Sequence, residues 1–469
     1  MKFTVYPIIV IFCNFYFLVQ AKNIIEFSRQ SQIDSFNFIY PNIHKLNQSI
    51  TFIGSGIINI DSLYKLREVE GSVEFINCSI ENLEGFRALE AIGDSLFIIN
   101  CGNLTSLIGL NQLKYIKYFI IEGNTKSLNE INGFNQIKDL QRFVITNNTG
   151  IKKVSGFEKC GSNITLITNN ENLEEVTLFN KFVNICNQNF SSRFLDVSSN
   201  KKLSNLHLFD SLNCANTIRI GYNDELINFP QFPNLEKINQ IVIAKNSKLK
   251  KIVSFNSVIS SFNLLSIDII YMDSLLVLEV LNNLDQIGNI KISNNISLTH
   301  IVNSFNRIDS IGKLTVKRTL EISNNIKLTD ISSFKNISYI GKLIVLNNKN
   351  LSNCSIESIC NHLSKGGESQ IGIDNYPGCR SVNQILSKCT TYLSEIAFEK
   401  VKVFPNPTLN YINLLNISSN EILIFNILGE IVKGWKIIDN ATIDISSLGS
   451  GIYILKDKNL TLSNFIIKI

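Results

Sequence analysis

The sequence is poor in the residues that most site chemistry calls on. It has 4 His in 469 residues (His44, His207, His300 and His362), and no two stand at a metal-ligand spacing. No GxSxG, HExxH, GxxxxGKS/T or GxGxxG string occurs, so the usual nucleophile-elbow, zinc-protease and nucleotide-binding signatures are absent. Asp and Glu do not recur as a facing pair, so no glycosidase dyad can be nominated. His207 reads as a structural residue because no catalytic partner recurs near it. Basic residues (44 Lys+Arg against 39 Asp+Glu, net +5) form no block, which excludes an obvious nucleic-acid partner. Beyond the N-terminus no run is long and uncharged enough to span a bilayer, since even Ser266–Leu281 carries Asp268, Asp273 and Glu279. The expectation is a chain with no catalytic residues, no cofactor, no metal and no transmembrane segment once processed.

What the sequence has is a period. Short Φ-x-Φ strands recur, among them Val73-x-Phe75, Leu96-x-Ile98, Phe119-x-Ile121, Phe143-x-Ile145, Ile218-x-Ile220 and Leu343-x-Val345. Three residues after each comes a turn position, usually Asn: Asn124, Asn148, Asn170, Asn200, Asn223, Asn246, Asn295, Asn325 and Asn348. Ser55, Cys78, Cys101 and Met272 fill the same slot elsewhere, most steps being about 23 residues and two being 30. Alternation puts both apolar side chains on one strand face. The Asn is expected to tolerate a left-handed backbone and to bond its counterpart in the next coil. A single unit cannot bury its apolar face, whereas stacked units can. About 13 coils of roughly 23 residues therefore predict a β-rich, right-handed solenoid over 49–353. The pattern resembles leucine-rich repeats, and more closely the strand-rich receptor L-domain branch, with fewer leucines and more Ile and Phe.

Residues 22–48 are read as a front cap and 354–390 as a rear cap. The rear segment contains Cys354, Cys360, Cys379 and Cys389, whose clustering favours two disulfides in an oxidising compartment, with three pairings open. The spacing lacks the CxxC pair of a common zinc site. It also resembles a cap found after repeats in Bacteroidetes surface proteins. Cys78 and Cys101 share one slot in adjacent coils and are read as bonded or simply buried.

Outward positions of the early strands are apolar: Ile53, Ile76, Phe97, Ile99, Ile120 and Val144. Later ones turn polar, as at Asp196, Arg219, Lys291 and Glu321. A large apolar outward stripe usually marks a contact. It serves either as a face for a protein or glycan ligand, or as a surface that the front cap covers; exposure of Phe97 and Ile120 distinguishes the two.

Both ends read as addresses. Lys2, an apolar stretch to Val19 and the small residues before a cut after Ala21 describe a signal peptide over 1–21. After a linker at 391–402, residues 403–469 show short alternating strands broken by turn residues, predicting a small all-β sandwich. Phe404-Pro405-Asn406-Pro407-Thr408, the 424–432 run ending in Gly429-Glu430-Ile431-Val432, the 443–455 run with Gly451 and Tyr453, and the terminal stretch with Lys468 resemble the type IX secretion sorting domain of Bacteroidetes. Asn464 departs from a position that is often basic in that family. The resemblance implies handling by the type IX machinery through the periplasm, delivery to the outer cell surface or medium, and removal of the domain. The combined expectation is a secreted or surface repeat protein for adhesion or recognition. A self-associating surface component is the alternative, and a polysaccharide-active β-helix enzyme is a third reading on fold analogy alone.

Overall fold

The computed structural model describes residues 24–124, 127–181, 193–261, 265–313, 316–389, 402–415, 421–436, 441–457 and 463–469. The expected cleavage after Ala21 and residues 391–401 of the expected 391–402 linker lie outside the described residues. The chain divides after Cys389 into two compact units.

The first unit is a β-solenoid of about fourteen turns. Fifteen strands join in one parallel sheet, beginning with Ile24–Phe27, Ser49–Ile53 and Val73–Ile76 and ending with Lys342–Leu346 and Ser369–Ile371. The sheet is one strand longer at each end than the sequence pattern indicates. Ile24–Phe27 pairs in parallel with Ser49–Ile53, and Ser369–Ile371 pairs with Lys342–Leu346. Smaller parallel sheets run along the returning segments, such as Lys153–Gly156 beside Glu175–Leu178.

The Φ-x-Φ pattern produces this geometry directly. In register, Phe52, Phe75, Ile98 and Ile121 form one inward column and Val73, Leu96, Phe119 and Phe143 another, all fully buried. The returning segments add a second apolar wall. Gly85 and Gly109 open it, because a Cβ at either would lie 1.9 Å from the Ile60 carbonyl oxygen or 1.7 Å from that of Leu83. Further along, Phe134, Phe157, Phe179, Phe209, Phe255 and Phe305 adopt φ between 51° and 62°, a region that bulky residues avoid. Their rings pack coil on coil: Phe134 stacks on Phe157 at 4.9 Å, and Phe179 lies tilted against Phe209 at 4.7 Å. A left-handed residue costs about 1–2 kcal/mol. Burying a phenylalanine contributes about 1.5–3 kcal/mol and a ring pair about 0.5–1.5 kcal/mol more, so burial wins.

The Asn slots form a buried ladder. The side-chain oxygen of each accepts the backbone N–H of its predecessor, as with Asn223 from Asn200 at 3.1 Å and Asn325 from Asn295 at 3.1 Å. The amide nitrogen of each donates to a strand carbonyl of the preceding coil, as Asn223 to Val197 at 2.9 Å. These asparagines are not the left-handed residues. That conformation falls one position earlier, at Asn100, Asn147, Asn169, Asn294, Asn324 and Asn347 (φ 56–59°). The physical reason is a division of labour. The exposed or half-buried residue turns the chain, which frees the next to aim its amide inward. Ser55 is exposed and stands outside the ladder, whereas Asn375 extends it by accepting from Asn348 N–H at 2.9 Å.

The rear of the array carries helices Glu357–Ser364 and Val382–Cys389. Of the three pairings left open, the structure has Cys354–Cys379 and Cys360–Cys389, with Cα–Cα distances of 5.5 and 5.7 Å.

The second unit contains two antiparallel sheets. Lys402–Phe404, Tyr411–Leu415 and Ala441–Asp444 make one, and Ile431–Lys436, Glu421–Phe425, Gly451–Asp457 and Ser463–Lys468 the other. Ile412, Leu414 and Ile443 from the first share one core with Ile422, Ile424, Leu455 and Ile466 from the second.

Candidate recognition face and sorting tail

Parallel register turns the outward residues of the long sheet into straight columns. The middle column runs Thr51, Glu74, Phe97, Ile120, Val144, Leu166, Asp196, Arg219. The column toward the strand C-termini contains Ile53, Ile76 and Ile99, then Glu122 and Thr146. The column toward the N-termini contains Ser95, Tyr118, Arg142, Ile164 and Phe194. Adjacent strands lie about 4.8 Å apart, so neighbours in a column touch.

All six apolar residues singled out from sequence, Ile53, Ile76, Phe97, Ile99, Ile120 and Val144, lie on this face and are half-buried. Each keeps part of its surface in solvent while the same column in the next coil covers its flanks. Sequence reasoning missed the continuation. Leu166 extends the middle column, and Ile164 and Phe194 the adjoining one, all three half-buried. The apolar residues thus step sideways from coil to coil as a diagonal band. Thr165 concealed that coil, since it fills a buried inward slot that is apolar elsewhere.

Polar groups border the band. Arg142 stacks over Tyr118 at 5.9 Å, and the Tyr118 hydroxyl donates to Gln141 at 2.7 Å. Arg219 sits 3.3 Å from the Asp196 carboxylate and over the Phe194 ring at 5.8 Å. Burial pushes the Asp196 carboxyl upward, opposed by its hydrogen bonds to Ser198 and Arg219. Burial also raises Glu74, which Thr51 partly offsets. Further along, Lys291 pairs with Glu321 at 3.1 Å.

A cleft of about 750 Å³ lies on another part of the array, between Phe229, Val253, Lys248, Lys250 and Lys251, and among the described residues no carboxylate, histidine or cysteine lines it. His207 meets Asp210 at 3.0 Å on the surface. Among the described residues no group of three or more His, Cys, Asp or Glu could hold a metal ion. No helix among them is long and apolar enough to cross a membrane.

In the second unit, motif residues 61 positions apart in sequence meet. Asn406, between Pro405 and Pro407, accepts the Ile467 N–H at 2.8 Å. The Thr408 N–H donates to the Ile467 carbonyl at 2.8 Å, and the Ile469 N–H returns to Thr408 at 3.0 Å. Lys468, only 8% exposed, donates its ammonium to the Leu409 carbonyl. Gly429 closes a turn at φ 84°, where Asn426 accepts the N–H groups of Leu428 and Glu430 at 3.0 Å each. Tyr453, two residues beyond Gly451, donates to Gly449 at 2.8 Å. The first and last motifs are one structural feature, closed by the C-terminal strand.

No curated protein matches the chain. Residues 402–468 match the family model described as the secretion system C-terminal sorting domain, so this chain carries at its C-terminus a type IX sorting tail, which implies export to the cell surface or the extracellular space.

Proposed function

We propose that the array is a recognition module, displayed on or released from a bacterium of the Bacteroidetes, that binds an extracellular protein or glycan through the outward face of its long sheet. The repeat is read as leucine-rich-repeat-like, nearest the receptor L-domain branch, and the chain as non-enzymatic. One observation carries the reading: the diagonal band, in which Phe97, Ile120, Val144 and Leu166 stand side by side, part-exposed, on a rigid sheet. Apolar surface gathered in one place on an exported protein is costly to leave wet, and its burial against a ligand is favourable. Flanking Arg142, Arg219 and Glu74 supply a polar rim, which is the anatomy of a specific interface.

The test uses the full chain with Phe97→Lys and Ile120→Glu combined. Because both side chains are half-buried and outward, the thermal midpoint should move little. Retention on a glycan array or on immobilised extracellular-matrix proteins should fall at least about tenfold, as for loss of hot-spot residues. Equal retention by both proteins refutes the reading. Self-association is the second reading; it is favoured if light scattering shows a wild-type oligomer that the variant lacks.

A further inference from the structure

The ladder has an anomaly at its front. From Cys101 onward each joint between coils is tied by an acceptor in the next slot, beginning with the Cys101 N–H on Asn124 at 2.8 Å. The two slots before Asn124 hold Cys78 and Cys101. A thiol is a weak donor and a weak acceptor, so a pair of them ties two coils less well than the asparagines do. Coils at the end of an array have a neighbour on one side only and open first. The weakest joint therefore lies near the exposed front end.

The geometry points to a disulfide between Cys78 and Cys101, formed as the exported chain folds, that staples the third and fourth strands of the sheet. Ile76 pairs with Ile99, the Asn77 N–H donates to Ile99 at 2.9 Å, and the Asn100 side chain donates to that of Asn77 at 3.2 Å. Register thus holds up to the residues just before the two cysteines. Coils about 4.8 Å apart fall within the Cα separation of about 4.4–6.8 Å that a disulfide spans. The Cys78 thiol bonds to the Phe52 carbonyl at 3.3 Å and that of Cys101 to Ile99 at 3.5 Å, and the two thiols contact each other. Cys78, Cys101 and Cys160 are all buried free thiols in this structure, and Cys160 differs in donating to Gly161 at 3.4 Å.

The oxidant is a disulfide, either a small molecule or a dithiol oxidase of the oxidising compartment through which a sorting-tail protein is exported. The thiolate of one cysteine attacks it, forming a mixed disulfide and expelling one thiol. The thiolate of the other cysteine then attacks that sulfur, closing the bond and expelling the second thiol. The two cysteines lose two electrons to the oxidant and their two protons appear on its thiols. In the folded state contact with Cys101 lowers the Cys78 thiol, while contact with Cys78 and burial raise Cys101. Both are buried at 3% and 0% exposure, so closure belongs to folding or to opening of the front coils.

The experiment refolds the full chain from urea and dithiothreitol into a glutathione redox buffer. The folded fraction is isolated by size exclusion, alkylated in denaturant and mapped without reduction. Expected is a peptide pair linked through Cys78 and Cys101, alongside Cys354–Cys379 and Cys360–Cys389, with Cys160 alkylated. Against the oxidised double variant Cys78→Ala/Cys101→Ala, wild type should show about tenfold slower amide exchange over 50–76. Alkyl label on both Cys78 and Cys101 while the two rear bridges are intact overturns the proposal. So does a bond from either cysteine to another partner, or equal exchange in the two proteins.

Discussion

Replacing Asn223 with alanine removes one rung of the ladder and nothing on the surface, since the side chain is fully buried. Its oxygen accepts the Asn200 N–H at 3.1 Å and its nitrogen donates to Val197 at 2.9 Å. Alanine leaves both backbone groups buried without these partners, and each loss costs about 1–3 kcal/mol. The expected destabilisation is about 2–6 kcal/mol, well above the median single substitution. Urea denaturation followed by circular dichroism measures it, and hydrogen exchange localises it at the Asn200 amide. Asn169→Gly is the matched control, since Asn169 is exposed at φ 56° and glycine enters that conformation freely. Its cost should stay within about 0.5 kcal/mol. The reasoning fails if the Asn223→Ala loss is no larger than the control, or if Asn169→Gly costs as much as the rung.

Two further outcomes follow from the same geometry. Met272 interrupts the ladder, offering the Asn246 N–H only a sulfur at 3.5 Å, so Met272→Asn should raise stability by about 0.5–1.5 kcal/mol, read as a higher urea midpoint; no rise would count against the ladder energetics. Burial raises the Asp268 carboxyl above its ordinary 3.8, with Lys291 opposing and Glu321 reinforcing the shift. The folded state then holds this proton more tightly than the unfolded state. Stability from this group therefore falls as pH rises through the interval between the ordinary and the raised value. Asp268→Asn should flatten that slope and be more stable at pH 7, as denaturation at a series of pH values would show; an unchanged slope contradicts it.

The period, the inward strand pairs and the Asn slots were legible because each is a local pattern repeated many times. The left-handed turn was read one residue late, because Asn commonly fills both positions and composition alone does not separate an exposed Asn147 from a buried Asn148. Asn375 escaped because a 27-residue step and a cysteine-rich cap break the rhythm. Ser369–Ile371 joins the sheet although Ser369 gives it no apolar pair to announce it. The six outward residues were readable strand by strand. Their arrangement as a band required lateral register, which Thr165 hid in the coil where Ile164 and Leu166 carry it onward.

One insertion shows how such an array can change. The step from Asn295 to Asn325 is seven residues longer than usual, and part of the surplus folds into a small antiparallel hairpin of Ser310–Lys313 with Val316–Lys317. Ile290 nonetheless pairs with Leu320, and the buried asparagines meet across the gap at 3.1 Å. Growth on the returning side therefore leaves the sheet untouched. The two flanks can be altered separately, so novelty at the back carries no penalty at the front.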